Sequence, residues 1–187
     1  MKNITKTIGF LLVILSSSAY SQVVIGGDTG SAGTNTSSVL LDFVAGENKG
    51  LIVPYVRTMP TASPTMVGGA ILLDASTPTT ARVKYYNAGT SSWVDLSGQD
   101  ADISTLLTAT QPTGITETDS KAIIGAATSS ADGVLVLEST TKAMVLPIVA
   151  DVQDIPSPSP GMVVYVNKTG AKRLAVYNGS KWSFWMP

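Results

Sequence analysis

A six-residue pattern that returns 93 residues downstream constrains this chain more than any other feature. Lys49-Gly-Leu-Ile-Val-Pro54 recurs as Lys142-Ala-Met-Val-Leu-Pro147. Upstream of each lies a short apolar run ending in a carboxylate, Val39-Leu-Leu-Asp42 and Val134-Leu-Val-Leu-Glu138. Earlier still, Ile25-Gly26 is echoed by Ile124-Gly125. Downstream, Gly69-Ala-Ile-Leu-Leu73 answers Gly161-Met-Val-Val-Tyr165, and Tyr86-Asn87 with Trp93 answers Tyr177-Asn178-Gly179 with Trp182. The same landmarks in the same order, with small changes of length, are the mark of a duplicated unit.

The pattern also fixes the class of structure. Its apolar runs are short, rich in Val, Ile and Leu, and bounded by Gly, Pro, Asn, Asp or Ser, which is the signature of strands. Pro54 and Pro147 remove a ladder donor and so predict a strand end or an edge. The connectors Thr58 to Pro64 and Asp154 to Pro160 hold too many prolines for a helix and read as extended. Asn178-Gly179 predicts a tight hairpin turn, and the loop from Asn87 to Ser92 is its longer equivalent. The expectation is an all-β chain made of two divergent copies of a short-strand module, with about four to six strands per copy. The copies span residues 22–96 and 121–187. Residues 97–120 read as a linker in which Asp100 to Leu107 makes a turn or two of helix.

Residues 1–21 read as a secretory signal peptide. Lys2 and Lys6 precede an apolar run from Ile8 to Leu15, followed by small polar residues, with cleavage expected after Ser21. Eight residues of helix fall well short of a hydrocarbon core of about 30 Å. The processed chain is thus expected outside the cytoplasm, at the cell surface, in the medium or in the periplasm, with no membrane span. The 187 residues include no cysteine and no histidine. Disulfides, thiolate chemistry, histidine bases and serine–histidine–acid arrangements are therefore excluded. Without Lys2 and Lys6 the chain has 10 basic and 13 acidic residues, a net charge of −3. That balance offers no attraction to nucleic acid.

The run of Ile-Gly, a carboxylate-ended strand, Lys-Gly-Leu-Ile-Val-Pro, Gly-x-Ile/Val-x-Tyr and Tyr-Asn-Gly-x-x-Trp resembles a β repeat of Bacteroidetes exported surface proteins and phage tail fibres. The resemblance runs from Val23 to Trp182 and rests on apolar and turn residues. It implies surface-displayed stalks and adhesins that often form homo-oligomers. That group places an arginine directly after the strand-ending proline. Here Arg57 stands three residues beyond Pro54, and Ala150 occupies the matching place in the second copy.

Motifs that hint at chemistry are isolated. Asp28-Thr29-Gly30 matches an aspartic-protease signature, but no second copy accompanies it, and a glycine-rich turn is the simpler reading. Gly26, Gly27, Gly30 and Gly33 precede a strand, whereas a phosphate-binding loop must run into a helix. Asp100 and Asp102 lack the further ligands of a dedicated calcium loop. No cofactor or metal is expected, and the chain reads as non-enzymatic. The aromatics carry more weight. Trp93 and Trp182 occupy matching positions and are expected to anchor each module. Arg57, Tyr85, Phe184 and Trp185 are the candidate interface residues, with Lys181 to Trp185 forming a terminal edge strand open to pairing. The expected function is a structural or adhesive subunit of a cell-surface appendage, joined to itself or to a larger surface protein. The alternative is a carbohydrate-binding module that stacks sugars on its exposed rings.

Overall fold

A computed structural model describes residues 22–33, 37–61, 66–110 and 121–185. The expected signal peptide, 1–21, lies outside them. Among the described residues the chain is all-β apart from one short helix and two 3₁₀ turns. Strands β1 (Val23–Ile25) and β2 (Val39–Phe43) come first, and β3 (Leu51–Ile52) and β4 (Tyr55–Val56) flank Pro54. Strands β5 (Ile71–Asp74), β6 (Arg82–Asn87) and β7 (Ser92–Asp95) follow, then helix α1 (Ser104–Thr110). The second half contributes β8 (Ala122–Ile124), β9 (Leu135–Leu137), β10 (Ala143–Met144) and β11 (Ile148–Val149). It ends with β12 (Met162–Val166), β13 (Arg173–Tyr177) and β14 (Trp182–Trp185). Each half therefore holds seven described strands, more than the four to six expected. The excess comes from the prolines, which split what reads as one strand into two short pieces that pair with different neighbours.

Two main sheets share one plan. In the first half the order is β4-β5-β6-β7, and in the second β11-β12-β13-β14. In both, the opening pair is parallel and the next two pairs are antiparallel. The proline carbonyls take equivalent parts. The Leu73 amide donates to Pro54 O at 2.9 Å, and the Tyr165 amide to Pro147 O at 2.9 Å. A proline that cannot donate is thus used as an acceptor where each short strand begins. Tyr86 and Trp93 meet edge-on across β6 and β7, with ring centroids 5.4 Å apart, and Tyr177 and Trp182 meet at 5.2 Å across β13 and β14. Both indoles are half-buried. Trp182 packs against the smaller core, while the Trp93 indole N–H reaches Pro60 O at 3.4 Å.

The larger core lies between the two sheets. Leu73, Ala75 and Val83 of the first half meet Val163 and Val176 of the second, with Leu174 and Tyr85 packed alongside. Ala101, Ile103 and Leu107 belong to the same core. The stretch read as a linker therefore packs its first part inside the molecule. The smaller core is local to the second sheet and holds Val149, Ile155, Met162, Val164, Val166 and Ala175.

The hairpin at Asn178-Gly179 differs from the expected two-residue turn. Tyr177 pairs with Trp182, so four residues close the loop. Gly179 alone of the central pair takes a positive φ, 110°. Asn178 is fully buried and works through its side chain, with Oδ1 accepting from the amides of Ser180 and Lys181 at 3.0 and 2.9 Å. An asparagine that closes its own turn in this way needs no left-handed backbone.

The approach of β3 to β12 depends on a missing side chain. A Cβ on Gly50 would stand 2.3 Å from Met162 Cγ and 2.7 Å from Val164 Cγ1. Gly50→Val is therefore expected to lower stability by about 1–3 kcal/mol, the usual cost of overpacking. A denaturant titration that gave the wild-type midpoint would contradict this account of the strand contact.

Candidate assembly interface

The two halves are stitched by an exchange of short strands. β3 of the first half lies antiparallel on β12, with Leu51 opposite Val163 and Ile52 opposite Met162. In return, β10 of the second half lies parallel on β2, with Ala143 opposite Val39 and Met144 opposite Leu41 across a bulge. Side chains cross the same seam. The Tyr55 hydroxyl donates to Pro160 O at 2.7 Å, and partial burial pushes its pKa up. Asn178 Nδ2 donates to Gln99 O at 2.8 Å, and the Ser183 hydroxyl donates to Ser97 O.

Asp42, one residue before the end of β2, and Glu138, just after β9, pin the loops that precede those strands. Asp42 is fully buried and accepts from the Ser31 hydroxyl at 2.9 Å, the Ala32 amide at 2.9 Å and the Phe43 amide at 2.8 Å. A Cβ on Gly30 would collide with Asp42 Oδ2 at 2.0 Å, so the loop closes over the carboxylate only with glycine there. Glu138 likewise accepts from the Ser129 hydroxyl, while Lys121 Nζ holds the carbonyls of Ser129 and Ala131, each at 2.8 Å. The sequence showed both carboxylates as landmarks, but the full burial of Asp42 and the partial burial of Glu138 are products of the folded loops. Asp28, in the protease-like triplet, sits exposed in the bend between β1 and Gly30. Asp100 bonds Arg82 Nε at 2.7 Å, and Asp102 accepts from the Ser104 amide at 3.0 Å and from its hydroxyl at 2.6 Å at the start of α1.

The four candidate interface residues do not gather at one place. Arg57 is exposed just beyond β4. Tyr85, on β6, is half-buried against the larger core. Phe184 and Trp185 are exposed on β14, the edge strand of its sheet. The Arg173 guanidinium carbon lies 4.0 Å from the centroid of the Phe184 ring, which covers one face of that ring. The Trp185 indole N–H donates to Leu96 O at 2.9 Å, so this ring also ties the last strand to the first half.

Exposed aliphatic side chains mark two other edges that sequence reading passed over. On β9, Leu135 is 43% exposed, and Val134 just before it is 63% exposed. Matching Asp42 to Glu138 places Val39 at the position of Leu135, and Val39 is only 4% exposed. On β5, Ile71 is 37% exposed, whereas Val163, matched to it through Gly69 and Gly161, is 3% exposed. The cause is strand pairing. β2 lies between β1 and β10, while β9 pairs only with β8 among the described residues. Val163 is covered by β3, while β4 reaches only Leu73 and Asp74 of β5 and leaves Ile71 open. Exposed aliphatic side chains thus stand beside strand edges that have no neighbour among the described residues, a combination that globular chains usually avoid.

Residues 123–186 match a family model described as a phage tail like trimerisation region. The match covers about a third of the chain, β9 to β14 included, and this segment is similar to that region. No curated protein and no solved structure matches the chain. Among the described residues no helix is long and apolar enough to cross a membrane.

Two outcomes test the chemistry of this region. Asp42→Ala leaves the Ala32 and Phe43 amides without their acceptor, and is expected to lower stability by about 2–3 kcal/mol, as read from the midpoint of chemical denaturation. Asp74 supplies a pH signature. Its partial burial acts to raise its pKa, but hydrogen bonds from Lys84 at 2.7 Å and from Ser76 outweigh this and hold the carboxyl below its ordinary value. A depressed carboxylate contributes stability above its unfolded pKa and loses it as pH falls through the folded one. Thermal midpoints are thus expected to drop below about pH 4, and Lys84→Met to flatten that part of the profile.

Proposed function

We propose that this chain is a non-enzymatic structural subunit of a bacterial surface appendage, exported and assembled as a homotrimer through its β modules. The match of residues 123–186 to a trimerisation region carries this reading. Three further features support it. The two main sheets share strand order and sense, which favours descent from one duplicated module. Aliphatic side chains stand exposed at the β5 and β9 edges, where a further subunit would remove them from water. Only 13% of the residues are charged, a composition suited to a surface that packs against its own kind.

Assembly here needs no covalent step. Apolar faces are buried and strand edges are paired, and the display of the resulting stalk is the function. A sugar-binding role would use the rings of Phe184 and Trp185. The guanidinium over one face of Phe184 and the hydrogen bond from Trp185 to Leu96 instead give both rings work within the chain. The mass of the purified chain without residues 1–21 decides the matter. Light scattering on a sizing column is expected to give three times the chain mass, and a monomer that binds a glycan array would reverse the assignment.

A further inference from the structure

The geometry points to a head-to-tail joint between chains in which the open edge of β9 takes residues Gly50 and Leu51, at the start of β3, of a second copy of this chain. This rests on the self-assembly reading above and specifies the contact that produces it. The joint is already drawn inside one molecule. There, the strand after Lys142 lies parallel on β2, and the strand after Lys49 lies antiparallel on the first part of β12. The second half thus offers β9 in the place of β2, with no neighbour on that side among the described residues. The first half offers β5 in the place of β12, with its first part equally open.

One docking event fills both vacancies. When the second half of one chain meets the first half of the next, Leu51 of the incoming chain falls beside Leu137, as Met144 falls beside Leu41 within the chain. The second half's own Met144 strand, through its other edge, falls on Ile71 of the incoming chain, as Leu51 falls on Val163. Leu135 and Ile71, exposed in the single chain, are then covered as Val39 and Val163 already are. The exposed face of Ile52 lies on the same short strand. Such a contact joins two different patches, so it propagates until rotation closes a ring. The trimerisation match selects closure at three chains, with six modules around the axis.

The absence of cysteine makes the test clean. Leu51→Cys and Leu137→Cys chains, mixed and oxidised, are expected to give a disulfide-linked dimer containing one of each, with little from either alone. The L51C/L137C double variant is expected to run as a closed trimer without reductant. Val39→Cys with Ala143→Cys, which face each other within one chain, is the positive control for strand geometry. Leu135→Lys places a charge on a side chain exposed in the single chain, and is expected to convert the trimer to a monomer that keeps the wild-type β-sheet circular dichroism and unfolds cooperatively, at a midpoint lowered by the lost association. A wild-type trimer that survives Leu135→Lys and forms no Leu51–Leu137 cross-link would overturn the joint while leaving trimeric assembly intact. A wild-type chain of monomer mass that also fails to cross-link would overturn both.

Discussion

The exchange of β3 for β10 between the two halves is the contact on which the rest of the molecule depends. Each piece is only two residues long, and a strand that short has no stability of its own. It persists because it completes the edge of a sheet whose remaining strands belong to the other half. The same exchange fixes how the main sheets face each other. With Leu51 held against Val163, the faces carrying Leu73, Val83, Val163 and Val176 close on one core. Gly50 permits the approach, and Tyr55, Asn178 and Trp185 fasten its margins.

Polar groups in the seam are arranged so that burial leaves few of them without a partner. Asp42 accepts hydrogen bonds from Gln22, Ser31, Ala32 and Phe43, and Asn178 closes its turn while reaching across to Gln99. Buried polar groups that are satisfied in this way specify one arrangement among the many that apolar packing alone would accept. That specificity matters for a chain built from similar halves. Aliphatic strands of like sequence pair promiscuously unless loops and turns fix their register.

An assembly subunit differs from an isolated domain in what it leaves unfinished. Globular chains blunt their sheet edges with charge, proline or a covering loop. Here β9 and the first part of β5 keep aliphatic side chains beside open edges. Ion pairs hold charged side chains elsewhere on the first sheet, with Arg82 between Asp95 and Asp100 and Lys84 against Asp74.

Much of this was legible before any coordinates. Short Val, Ile and Leu runs punctuated by glycine and proline allow little but strands, so the all-β class follows from local propensity and period. The recurrence of Lys-x-x-x-x-Pro named the segments that pair across the seam, and the Tyr–Trp pairs marked the last hairpin of each sheet. Pairing itself is a relation between distant segments, and no local pattern records it. Nothing in Leu51-Ile52 says that it joins β12 instead of its neighbour β4. Nor does Leu135 reveal that its edge lacks the neighbour that Val39 has. Residues 97–107 look like a polar spacer because their apolar members are sparse, yet Ala101, Ile103 and Leu107 fit a gap that exists only once two sheets have closed. Composition and period determined which segments would be strands, and tertiary structure decided which edges they share, because hydrogen-bonded partners are chosen by the whole chain at once.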